Sequence, residues 1–194
     1  VKGMANNVQA LLDESAPLED IRLADTAIFY SISNAQKGLS GISFGNFLIK
    51  SVVKKLQQEF PQLKQFATLS PIPGFCRWLN STDAVEESDL LGQGSMSSSS
   101  EQLQKLAAHY LVEQKQKRND KHARDPVAHF HLSNGAKLER LNWMADSSDN
   151  GVKQSAGMMV NYLYELPHIE SRSQSYSADG KVAVSSSVEK HLNS

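Results

Sequence analysis

The sequence predicts an α/β fold, and three observations carry that expectation. First, a β-branched and aromatic segment at residues 26–33, a glycine-rich stretch, an amphipathic helix over about 46–60 and a short apolar segment at 66–69 follow one another. Strand, loop, helix, strand is a βαβ unit, whose two strands run parallel. Second, an Asp-Pro segment ending in Asn-Gly precedes two further strand candidates, residues 136–145 and 157–164. Third, 194 residues at 40% hydrophobic and 21% charged can bury a real core.

Taken in order, residues 1–14 look like the end of a helix, closed by Asp13, Glu14, Ser15 and Pro17. The chain opens Val1-Lys2-Gly3-Met4 with no signal or transit pattern, which leads us to expect a trimmed precursor or a fragment. Thr26-Ala27-Ile28-Phe29-Tyr30-Ser31-Ile32-Ser33 has the residue types of a buried strand. In the first helix Leu48, Ile49, Val52, Val53, Leu56 and Phe60 recur at helical spacing, Lys50, Lys54, Lys55 and Gln58 fill the other face, and Pro61 stops it. Residues 80–100 are polar and end in Ser97-Ser98-Ser99-Ser100, the composition of a flexible insertion. A polar amphipathic helix is expected over 101–117, with the basic run Lys115-Gln116-Lys117-Arg118, continuing to Lys121 and Arg124, as its solvated end. Asn134-Gly135 admits a hairpin turn, but Asp125 as N-cap, Pro126 in the first turn and Gly135 at the end favour a short helix. From Ser171 onward the serine-rich, polar composition predicts a loose tail over 171–194.

Several function classes fall away at this level. Twenty basic against 21 acidic residues argue against nucleic-acid binding by bulk electrostatics. No apolar run approaches the roughly 18–20 residues that span a bilayer. One cysteine, Cys76, allows no internal disulfide and no thiolate metal cluster.

Chemistry has three candidate places. The stretch Ser40-Gly41-Ile42-Ser43-Phe44-Gly45-Asn46, between a strand and a helix, suits a phosphate cradle of backbone N–H groups, or an ordinary βα turn. It also matches the G-x-S-x-G nucleophile elbow, but polar and glycine residues separate Ser33 from Ser43, where an elbow needs its serine directly after the strand. Ser70 leaves a strand inside Ser-Pro-Ile-Pro-Gly, a rigid loop at a strand's carboxyl end, or else a proline turn with an exposed serine. His129 and His131 are two apart, which on a helix sends them to different faces and argues against a shared metal.

Together these segments resemble the malonyl-CoA decarboxylase family. The likeness lies in Phe29-Tyr30-Ser31-Ile32-Ser33-Asn34 through Gly45-Asn46-Phe47-Leu48-Ile49-Lys50, and in Glu59-Phe60-Pro61-Gln62-Leu63 to Ser70-Pro71-Ile72-Pro73-Gly74-Phe75. It resumes at Asp125-Pro126-Val127-Ala128-His129-Phe130-His131-Leu132-Ser133-Asn134-Gly135-Ala136 and runs through Arg140-Leu141-Asn142-Trp143-Met144-Ala145-Asp146 to Asn161-Tyr162-Leu163-Tyr164. The resemblance implies a mixed sheet flanked by helices, of the kind shared with GCN5-type N-acetyltransferases, with a helical, serine-rich insertion at about 80–124. It implies that residues 1–170 form a C-terminal catalytic domain whose N-terminal helical partner and first strands lie outside this sequence. Residues 40–46 become the coenzyme A loop, although Ser40 and Ser43 stand where the acetyltransferase loop often has Gln or Arg and a glycine; serine hydroxyls also donate to phosphate. Ser70 is implied as proton acceptor, His131 as proton donor and Tyr164 as the tyrosine supporting them.

The implied reaction converts malonyl-CoA to acetyl-CoA and CO₂ with no metal, biotin or pyridoxal; coenzyme A belongs to the substrate. Mitochondrial, peroxisomal or cytosolic placement and a homo-oligomeric full-length protein are also implied. A CoA-dependent acyltransferase or a non-catalytic CoA-binding module remain as alternatives.

Overall fold

A computed structural model describes residues 1–17, 20–30, 44–81 and 96–193. Its frame is a four-stranded sheet in the order β1-β2-β6-β5, comprising β1 (Thr26–Tyr30), β2 (Gln65–Pro71), β5 (Lys137–Asn142) and β6 (Met159–Leu163). β1 and β2 are parallel, from Thr26↔Gln65 to Tyr30↔Leu69, as the βαβ reading requires. β6 is antiparallel to both β2 and β5, so the sheet is mixed. The crossover between β1 and β2 includes α2 (Phe44–Glu59), which presents Ile49, Val53 and Leu56 to the core.

Alternation along the strands separates two faces. Phe66, Val160, Tyr162 and Leu138 belong to the main core, together with Tyr110, Leu111, Ala128 and Leu132 from helices. Leu69, Met159 and Ala145 form a smaller cluster on the other side, covered by Val8 and Leu11. Those two residues lie on α1 (Val8–Leu12), a shorter helix than the 14-residue segment expected. The stretch before it is tied to the sheet: Asn161 Nδ2 donates to the Ala5 carbonyl at 3.0 Å, and Arg140 Nη2 to that of Met4 at 2.8 Å.

Two expectations are corrected. The insertion helix α4 (Met96–Val112) stops five residues short of Lys117, and the basic run is a hairpin, β3 (Lys115–Gln116) with β4 (Asn119–Ala123), turning at Lys117 and Arg118. The Lys115 ammonium folds back onto the Val112 carbonyl at 2.7 Å, satisfying a helix C-terminal acceptor instead of extending the helix into solvent.

Residues 171–194 are likewise no loose tail up to Asn193. Beyond α6 (Asp149–Ser155), α7 (Ile169–Asp179) and α8 (Ser186–Leu192) pack with Tyr176 and Val188 fully inside. Between them the chain adds to the free edge of β5: Leu138 N donates to the Ala183 carbonyl and Ser185 N to that of Leu138. Two of the serines that suggested a loose tail are structural. Ser185 caps α8 by accepting the Val188 N–H, and Ser185 and Ser187 both donate to the Glu139 carbonyl.

Candidate active site

Ser70 and His131 come from elements far apart in the chain. Ser70 is the penultimate residue of β2, on the face that also carries Thr68. His131 lies in the last turn of α5 (Pro126–Ser133). That helix forms as its end signals require: Asp125 Oδ1 accepts the Val127 and Ala128 N–H groups at 3.0 Å each, and Pro126 occupies the first turn. It ends at Asn134, and the following Gly135 has φ +76° with its α-carbon against the Ile169 carbonyl, so a side chain there is barred twice over. Between cap and stop, Ala128, His131 and Leu132 face inward.

This packing brings His131 Nε2 to 3.1 Å from Ser70 Oγ across 61 residues of sequence. On the far side of the imidazole, Nδ1 lies 2.7 Å from the Tyr164 hydroxyl. The ring also stacks on Tyr162, centroids 4.4 Å apart. Ser70 completes its bonding by donating to Thr68 Oγ1 at 2.9 Å. Sequence reasoning therefore named three members of one buried constellation and missed two, Thr68 and Tyr162. Period-two alternation from Ser70 and from Tyr164 would have pointed to both.

Protonation states follow from burial. His131 is 2% exposed, and loss of hydration pushes its pKa down to about 3, so the ring is neutral near pH 7. Tyr164 is pushed upward by the same cause and keeps its proton. Donor counting then assigns the tautomer. With the Ser70 hydroxyl hydrogen directed to Thr68, the His131–Ser70 contact takes its hydrogen from Nε2, and Nδ1 accepts from Tyr164. Protons thus point one way, from Tyr164 through His131 and Ser70 to Thr68.

The group behind the ring bears on the chemistry. A serine hydrolase needs an unprotonated Nε2 facing its serine and a carboxylate behind the ring. Here a phenol, and no carboxylate, stands behind the ring. A neutral imidazole N–H of this kind serves as a donor to developing negative charge.

His129 goes to the other face of α5, as its spacing predicts, where Nδ1 meets the Tyr176 hydroxyl at 2.9 Å and the ring lies 4.3 Å from that of His122. Ser40, Gly41, Ile42 and Ser43 of the expected coenzyme A loop, and with Ser43 the G-x-S-x-G serine, lie outside the described residues. Phe44, Gly45 and Asn46 form the first turn of α2. Among the described residues no group of three or more His, Cys, Asp or Glu side chains could hold a metal ion, and no helix is long and apolar enough to cross a membrane.

Comparison with known proteins gives a consistent answer. The family model described as "Malonyl-CoA decarboxylase C-terminal domain" matches residues 1–194. Mitochondrial malonyl-CoA decarboxylase of Mus musculus is 40% identical over 224 residues, covering 95% of this chain and 45% of the mouse protein. The Rattus norvegicus enzyme is 38% identical, with the same coverage. The crystal structure of malonyl-CoA decarboxylase from Agrobacterium vitis superposes with a TM-score of 0.88 at 40% identity, over 98% of this chain and 51% of that one. The chain spans about half the length of each of these relatives.

Proposed function

Because the chain belongs to the malonyl-CoA decarboxylase family, we propose that it supplies the catalytic half of an enzyme that converts malonyl-CoA to acetyl-CoA and CO₂. The observation that carries this reading is the buried constellation of Ser70, His131 and Tyr164, with a phenol and no carboxylate behind the imidazole. In the reaction the bond between C2 and the carboxylate carbon breaks, CO₂ leaves, and the electron pair delocalises onto C2 and the thioester oxygen as an enolate. Hydrogen-bond donors at that oxygen lower the barrier, and one proton, drawn from water and passed to C2 through the Ser70–His131 pair, which ends as it began, completes the acetyl group.

His131 and Ser70 have the residue chemistry for both tasks. The Nε2–H of His131 is held in place by Tyr164 at the opposite nitrogen. The Ser70 hydroxyl turns from Thr68 to the substrate's oxygen with His131 behind it. Burial strengthens each of these hydrogen bonds relative to water. The proposed chemistry calls on no metal or organic cofactor, and the pyrophosphate of coenzyme A is assigned to residues 40–46 by the family resemblance alone. The mitochondrial placement in the relatives' names extends to this chain as part of the same proposal.

Incubating the full-length natural protein with malonyl-CoA alone tests the reading. Acetyl-CoA and CO₂ are expected in equal amounts with no acceptor present. Turnover only with an added acyl acceptor would replace it with acyltransfer, and labelling of Ser70 by a fluorophosphonate would replace it with hydrolysis.

A further inference from the structure

We propose that Asp125, together with Tyr110, is a positioning residue that holds the helix bearing His131 against the loop bearing Ser70. This rests on the decarboxylase reading and deepens it. The contact between Ser70 and His131 joins two elements with no covalent constraint between them for 61 residues. A misplacement of about 1 Å at such a contact costs on the order of 10²-fold in rate. Something must therefore fix α5 relative to the end of β2.

Asp125 is placed to do it. Its side chain is fully buried at the start of α5. Oδ1 alone makes both capping bonds, to Val127 and Ala128. Oδ2 is left for another purpose and faces the Ser-Pro-Ile-Pro-Gly loop, where Gly74 N–H approaches at 3.4 Å. The Tyr110 hydroxyl, from the insertion helix α4, comes to the same place beside Gly74. These groups meet at one point: a methyl group added to Gly74 would collide with the Tyr110 hydroxyl and lie 3.6 Å from Asp125 Oδ2. Gly74 has an ordinary φ of −96°, so the close approach, and not its backbone conformation, is what excludes a side chain there.

The anchor is rigid on each side. Tyr110 packs against Phe75 and Trp78 of α3 (Phe75–Leu79), with centroids 5.9 and 5.2 Å away. Burial pushes the Asp125 carboxyl pKa upward, while the N–H groups of Ala128, Gly74 and Val127 and the Tyr110 hydroxyl work against that shift. The Gly74, Val127 and Ala128 N–H groups that reach it are all donors, so the place is built for an acceptor. The insertion helix thus contributes to the site by bracing it through Tyr110.

The test compares Asp125→Asn, Tyr110→Phe and their combination in the full-length protein. Asparagine keeps one oxygen for the cap but turns an amide donor toward the two remaining donors. In acceptor-free malonyl-CoA turnover we expect kcat to fall at least ~10-fold in Asp125→Asn, with KM within about 2-fold, because misorientation is felt in the reaction step. The double variant is expected to be no slower than Asp125→Asn, since both changes cut one tie. Ring ¹⁵N resonances read the tie without turnover: those of His131 should shift in both single variants, and those of His191 on α8 should not. Wild-type kcat with unmoved His131 resonances would overturn the proposal, as would rate losses that merely track the fraction unfolded. If wild-type protein fails to turn over malonyl-CoA while His131 still responds, the decarboxylase reading falls and the positioning role stands.

Discussion

The two faces of α5 carry nearly the same pair of groups and put them to different use. On one face His131 meets the Tyr164 hydroxyl at 2.7 Å, and on the other His129 meets that of Tyr176 at 2.9 Å. What differs is the surroundings. His131 is sealed against the sheet, with a serine at its second nitrogen and Tyr162 stacked beneath it. His129 is partly open, lies against another imidazole, and its tyrosine spends its acceptor on the Ala123 N–H. A histidine–tyrosine pair is therefore no site by itself. Burial and a hydroxyl at a strand end are what the proposed reading uses to make one pair the proton donor and leave the other as packing.

The largest effect should come from removing the hydroxyl that only the His131 face possesses. Ser70→Ala is expected to cut malonyl-CoA turnover by at least ~10²-fold, the low end for acid–base groups, measured as kcat on protein with an unchanged melting profile. Tyr164→Phe leaves Nδ1 without its donor. A loss of about 10-fold is expected, the equivalent of about 1.4 kcal/mol of buried hydrogen bonding. The mirror change, Tyr176→Phe, should slow turnover far less while lowering the melting temperature, because Tyr176 also holds the backbone of β4.

Acid separates the two faces more gently. Burial lowers the pKa of His131 to about 3 in the folded protein, against 6.5 for the unreacted side chain. Between those values the unfolded chain binds a proton that the folded one refuses. The stabilisation is thus complete above pH 6.5 and is lost as the pH falls toward 3, at about 1.4 kcal/mol per pH unit for that one group. His129 is shifted the same way, by burial and then by the neighbouring His122, and adds a smaller loss that starts at the same pH. Denaturant melts of wild type and His131→Gln across this range would show it: the variant's stability should depend less steeply on pH.

Much of this arrangement was legible in the residues, and the gaps have identifiable causes. The βαβ unit declared itself through periodicity, and α5 through Asp125, Pro126 and Gly135 in the right order. Ser70 stood out because two prolines flank its loop. Thr68 and Tyr162 escaped notice because a β-branched residue and an aromatic one look like ordinary strand material; only their registry beside Ser70 and His131 gives them a part. The second oxygen of Asp125 has no signature in one dimension, since capping already accounts for the residue. In the last segment, serines that cap helices and bond carbonyls have the same composition as serines that merely dissolve in water.

The most direct test of the contrast is to measure malonyl-CoA turnover by His131→Ala and His129→Ala side by side in the full-length protein, with melting temperatures recorded for each. We expect His131→Ala to lose at least ~10²-fold in kcat, the scale of a lost acid–base group. His129→Ala should stay within about 3-fold of wild type, as for a change that alters the free energy by about 0.5 kcal/mol. Equal losses in the two variants, or a fully active His131→Ala enzyme, would contradict the assignment of the chemistry to the buried face.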